Sequence, residues 1–183
     1  MRHEFVGAVL AGGSSTRMGR DKAFIDVEGE PLVQRVARAL AAAGAQRVFV
    51  VGGELVRLRA LGLDAVADRH PGEGPLGGVL TAMAATDATV LAILGTDLIA
   101  ADPAAILAVV DALDAHDVAV PVAGGRRHFH HAVWHRSAQE RLEATFDAGE
   151  RAIKRAVVGL TVAEVHGIAP EHLADADTPD ELP

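Results

Sequence analysis

The chain has 183 residues, with 17 Lys or Arg against 25 Asp or Glu and a formal net charge of −8. That balance argues against a nucleic-acid partner, which requires a basic face. The absence of Cys excludes disulfides, thiolate catalysis and Cys-based zinc sites. The length predicts one domain, 1–183, around one sizeable core.

Phe5 to Leu10 (FVGAVL) has the length and branching of a buried strand, and Gly12-Gly13 turn the chain after it. A turn at Glu28-Gly29-Glu30 follows Phe24–Val27, and Pro31 sits where proline opens a helix. Leu32, Val36, Ala39, Leu40 and Ala43 share one helical face, which Gly44 ends. Val48–Val51 predicts a second strand, Glu54–Leu61 a helix, and Ala65–Ala67 a short strand ending at Asp68. A loop dense in Gly and Pro (Arg69–Pro75) leads into a helix over Leu76–Ala85, and Thr89–Leu94 is a buried central strand with Asp97 just past its end. Then come a helix from Pro103 to Ala115, a strand at Asp117–Val122, a Gly124-Gly125 turn and a strand at Ala132–Trp134. Helices over Ser137–Asp147 and Glu150–Val158 and a strand at Thr161–Val165 complete the pattern.

The alternation predicts an α/β class: a three-layer α/β/α, Rossmann-like fold with a mostly parallel twisted sheet. The most apolar region, Leu76–Gly95, is broken by Asp87 and by Gly and Thr, so no transmembrane span is expected. The N-terminal apolar run is short and interrupted by charge, unlike a signal peptide. The expectation is a soluble cytoplasmic protein with no membrane partner.

The chemistry concentrates in Leu10-Ala11-Gly12-Gly13-Ser14-Ser15-Thr16-Arg17-Met18-Gly19-Arg20-Asp21-Lys22. Small residues that bare backbone N–H groups, flanked by Arg17 and Lys22, make a seat for a polyphosphate. The glycines fit neither G-x-x-x-x-G-K-[ST] nor G-x-G-x-x-G, which disfavours a dehydrogenase-like protein. Ser14, Ser15 and Thr16 lack a nearby base and read as phosphate hydrogen-bond donors. In open α/β sheets ligands gather at the C-terminal strand ends, where this loop, Asp68, the loop before Gly78 and Asp97 all fall.

The pattern L-A-G-G-x-S-x-R-M-G-x-D-K resembles the signature loop of nucleotidyltransferases, and within them the molybdenum cofactor guanylyltransferases. The resemblance implies a nucleotidyltransferase-type fold, GTP and molybdopterin as substrates, Mg2+ as cofactor, and molybdoenzymes or cofactor-delivery proteins as further partners. It implies nucleotide contacts at Leu10, Ala11, Gly12, Gly13, Lys22, Asp68, Gly78 and Asp97, with Arg17, Lys22 and Asp97 catalytic and Asp97 the metal ligand. Gly74-Pro75-Leu76-Gly77-Gly78 resembles an element that closes over the base; the alternative is a loop in which Pro75 simply starts a helix. Asp68 is placed to accept from guanine N–H groups. Mg2+ needs only one or two protein carboxylates, and Asp97 fits that role unless it is merely a helix cap. The family reads Asp-x-Pro here, whereas this chain reads Asp97-Leu98-Ile99.

Asp175 to Leu182 resembles the family's closing motif, with Asp177 either near the metal or capping a last helix. In Arg126-Arg127-His128-Phe129-His130-His131, His128 and Ala132 fit a His-Pro-x-x-A element of the acceptor side, with Phe129 in place of proline. On a strand, His128 and His130 would share a face. No carboxylate or Cys completes a metal site there, which leaves a wall for an anionic pterin phosphate or a solvated strand. Arg151, Lys154 and Arg155 read as one helical face, either solvated or turned toward the acceptor's phosphate. A nucleotidyltransferase of CTP or of a sugar or alditol phosphate, and a GTP-binding module without catalysis, remain as alternatives.

Overall fold

The computed structural model describes residues 3–12 and 22–174. Strand β1 (Val6–Leu10) lies inside the sheet, with a strand on either side. A two-stranded hairpin, β2 (Asp26–Val27) and β3 (Glu30–Pro31), precedes α1 (Leu32–Ala42). Pro31 therefore ends the hairpin and caps α1 rather than occupying its first turn. β4 (Val48–Val51), α2 (Leu55–Ala60), β5 (Ala65–Val66), α3 (Gly74–Ala84) and β6 (Val90–Gly95) follow. Next come α4 (Pro103–Ala112), β7 (Val118–Ala123), β8 (Arg126–Arg127) and β9 (His131–His135). α5 (Gln139–Asp147), α6 (Ile153–Ala156) and β10 (Val162–Val165) complete the labelled elements.

The sheet order is β10-β7-β9-β6-β1-β4-β5, with β8 paired to β7. β1 is parallel to β4 and β6, β4 to β5, and β10 to β7, whereas β9 is antiparallel to both β6 and β7. The mostly parallel, three-layer architecture expected from the alternation is the one found.

Strand periodicity explains the layers. Val9, Val50, Ala92 and Leu94 face one way, into a core with Val36 and Leu40 of α1, Leu58 of α2 and Ile106 and Val109 of α4. Their neighbours Ala8, Phe49, Leu91 and Ile93 face the other way, against Leu76, Val79 and Met83 of α3 and Leu142 of α5. Strands covered on both faces must be apolar at every position, as β6 is: all six of its residues are buried. α3 is apolar around most of its circumference because it lies between the sheet and α5. The chain runs from β1 outward through β4 to β5, then returns past β1 to β6. That reversal opens a crease at the C-terminal strand ends.

Candidate active site

Four strand ends are stitched together at this crease. Ala11 N–H donates to Val51 O (2.9 Å), Gly52 N–H to Val66 O (3.0 Å), and Thr96 N–H to Leu10 O (3.3 Å). The backbones come so close that only glycine fits. Gly52 has φ +76°, and a Cβ there would stand 3.2 Å from Gly12 Cα and 3.5 Å from Asp68 Cβ. Gly53 (φ +71°) would place its Cβ 3.2 Å from that of Ala11. The Gly-Gly pair after β4 is thus a packing requirement of the crease, and that doublet is its trace in the sequence.

Asp68, past β5, is half-buried. Its Oδ1 accepts from the Thr81 hydroxyl (2.9 Å) and from His70 N–H (3.0 Å). Its Oδ2 lies toward Gly12, 3.4 Å from where a Gly12 Cβ would be. Thr81, only 2% exposed on α3, also accepts from Arg69 N–H at 3.1 Å. Sequence reasoning singled out Asp68 and passed over Thr81, since a lone Thr inside an apolar helix carries no motif.

The Gly74–Gly78 segment is the start of α3, with Pro75 in its first turn. A Cβ at Gly77 would sit 2.7 Å from His70 Cβ, so glycine there admits the Asp68 loop against the helix. Gly78 packs on the Leu10 side chain, and at the fifth helical position its N–H belongs to the helix. Arg151 anchors this loop from the other side. It pairs with Glu73 (2.6 Å), stacks on Phe146 (3.9 Å to the ring centroid) and donates to the carbonyls of Phe146 and Glu150. It lies before α6, not on it. Arg155 is bound to Glu150, whose carboxyl that guanidinium and nearby N–H groups hold down at about 2. The reading of Arg151, Lys154 and Arg155 as one helical face is corrected accordingly: Arg151 is held by the distant Glu73 and Arg155 by the adjacent Glu150.

Asp97 stands past β6. Its Oδ1 is buried and has no hydrogen-bond partner among the described residues, and a Cβ at Gly95 would collide with it. His130 Nδ1 stands 3.9 Å from that oxygen, beyond hydrogen-bond reach. The helix-cap alternative fails. The cap of α4 is Asp102, whose side chain accepts from Ala105 N–H at 2.8 Å. The missing family proline has a local counterpart: Ile99 N–H donates to Ala174 O at 3.4 Å, a bond proline could not make. Among the described residues no three His, Cys, Asp or Glu gather into a metal cluster. The donor set at Asp97 is one carboxylate, which suits a Mg2+ ion that takes its other ligands from phosphate and water.

Lys22 opens a 3-10 turn, Lys22–Phe24, that packs against α1. Gly13, Arg17 and Asp177 lie outside the described residues, as do the other loop positions between 13 and 21. The histidines are arranged otherwise than the strand reading expected. The hairpin ends at Arg127, residues 128–130 turn, and of His128, His130 and His131 only His131 enters β9. Gly95 N–H donates to His130 O (2.9 Å), which ties this turn to the Asp97 loop. His131 is 0% exposed, and neither ring nitrogen has a partner among the described residues. Burial, reinforced by the neighbouring His128, pushes it down to about 4 despite the opposing Asp102.

A glycine-tight crease at the reversal point of a mostly parallel sheet, with Asp68 in it and Asp97 past the next strand end, is where an open α/β protein binds its ligand. The solved structure titled molybdopterin-guanine dinucleotide biosynthesis protein A, from Archaeoglobus fulgidus, has the same fold: TM-score 0.77 at 20% identity, over 96% of this chain and 94% of that one. A molybdenum cofactor guanylyltransferase of Rhodobacter capsulatus is 35% identical over 182 residues, 96% of this chain and 92% of its own. One of Xanthomonas euvesicatoria is 42% identical over 99 residues, and the chain matches about half of that relative's length (49%). The sequence profile of the MobA-like NTP transferase domain matches residues 7–163. The chain belongs to the MobA-like NTP transferase family. No helix among the described residues is long and apolar enough to cross a membrane.

Proposed function

We propose that the chain transfers GMP from GTP to molybdopterin, giving molybdopterin guanine dinucleotide and pyrophosphate, in the cytoplasm. The observation that carries this reading is the crease, where Gly12, Gly52 and Asp68 meet, with Asp97 just past the end of the neighbouring strand β6. The names of the relatives support the substrate pair.

The acceptor phosphate is ionised near neutral pH (second pKa about 6), so the reaction needs no general base. Its oxygen bonds to the α-phosphorus of GTP as the bond to the β-phosphate oxygen breaks, and pyrophosphate leaves in line. The protein's task is placement and neutralisation of charge. Asp68 Oδ2 accepts from the guanine N–H edge. The N–H groups of the loop after β1, with Arg17 and Lys22, hold the triphosphate. Asp97 would hold Mg2+, which when bound supplies charge neutralisation on phosphate oxygens. Lys22 stands beside the departing pyrophosphate and offsets its charge. The 128–130 turn, next to Asp97, forms the acceptor side.

Titration calorimetry with GTP, CTP and ATP, each with and without Mg2+, tests the reading. GTP is expected to bind tightest, and more tightly with Mg2+. Equal or tighter binding of CTP would remove the guanylyl assignment, and a Mg2+-independent profile would remove the role given to Asp97.

A further inference from the structure

We propose that Thr81 is a positioning residue for guanine selection, acting through Asp68. This deepens the reading of Asp68 as the acceptor for the base and rests on it. The direction of each hydrogen bond is forced. Arg69 N–H can only donate, so Thr81 Oγ1 accepts there and its single proton goes to Asp68 Oδ1. His70 N–H donates to the same oxygen. A carboxylate oxygen offers about two acceptor sites, so these two donors use up Oδ1.

What remains for a ligand is Oδ2, on the Gly12 side. Asp68 therefore meets the base through one oxygen of a carboxylate whose rotation is blocked. That oxygen attracts the N–H edge of guanine and repels the ring-nitrogen lone pair of adenine. The rigidity comes from α3. Thr81 is 2% exposed in the helix wall, and Gly77, one turn earlier, lets His70 lie flush against the helix. Without the hydroxyl, Asp68 loses one of two donors and Arg69 N–H loses its acceptor, and the carboxylate is free to swing.

The test is the ratio of ATP to GTP dissociation constants on the intact protein, by calorimetry with Mg2+. Thr81→Val keeps the shape and removes the hydroxyl. It is expected to lower the ratio by about tenfold, the scale of one lost charge-assisted hydrogen bond. Thr81→Ser should restore the wild-type ratio, which a packing defect would not predict. In an Asp68→Asn background, Thr81→Val should cause no further loss. Thr81→Ala carries the same expectation in case the valine protein does not fold. A Thr81 variant that keeps the wild-type ratio, or weakens GTP and ATP equally, overturns the proposal and leaves the reading of Asp68 standing. If Asp68→Asn itself leaves the ratio unchanged, the base reading fails, and the role of Thr81 with it.

Discussion

Acid should weaken this fold through His131. The imidazole is wholly buried on β9, opposite Leu94 of β6 and on the face of Val133, toward α1 and α4. Burial, with His128 and His172 nearby, pushes its pKa from 6.5 to about 4, and Asp102 offsets this only in part. The folded state therefore keeps the ring neutral in a range where the unfolded chain protonates it. Stability is full above pH 6.5, falls as the pH drops toward 4, and levels off once both states carry the proton. At about 1.4 kcal/mol per pH unit, the drop amounts to about 3 kcal/mol. For a chain of this size that corresponds to roughly 6–12 °C in melting temperature. His131→Leu has similar volume and removes the titration together with two unpartnered nitrogens. The variant should be at least as stable at pH 7.5 and should lose about 3 kcal/mol less between pH 6.5 and 4. Denaturant melts across that range measure the difference. Parallel stability curves for the two proteins would refute the assignment of the loss to this ring.

Asp97→Asn and Lys22→Ala should each cut pyrophosphate release with GTP by at least about a hundredfold, the scale of one electrostatic contact to the reacting phosphates; near-wild-type turnover would remove that residue's role. Gly77→Ala sets a helix-propensity gain of up to about 1 kcal/mol against overpacking on His70, which costs about 1–3 kcal/mol. Thermal melts should show a net loss, and GTP binding should weaken because Asp68 is two residues from His70. Ile99→Pro restores the family's proline but removes the N–H that donates to Ala174. It should lower stability by about 1 kcal/mol in denaturant melts.

The regular elements were legible because burial on two faces leaves a plain record. VFVV and VLAIL can only be covered strands, and Pro103 and Gly44 mark helix ends. Gly12 was legible as part of a motif, whereas the Gly52-Gly53 doublet answers to a backbone proximity that only the fold creates. The histidine hairpin was not. Its strand has only two residues, and periodicity cannot be read from Arg126-Arg127 before the chain turns. That His131 is buried is equally invisible in sequence, because it depends on pairing with Leu94, 37 positions away. Arg151 misleads for the same reason: its partners Glu73 and Phe146 are brought to it by tertiary packing, and helical spacing does not predict them.

The backward-running β9 has a consequence for how such proteins diversify. Because it enters the sheet from the end where the crease lies, the chain ahead of it reaches that end from a different stretch of sequence than the segment proposed to grip the nucleotide. Residues 124–130 can be lengthened, shortened or recharged at the mouth of the site while β1, β4 and β5 keep their register. One half of the pocket is held still by glycine-tight backbone, and the other hangs on a loop that evolution can rewrite for a new acceptor.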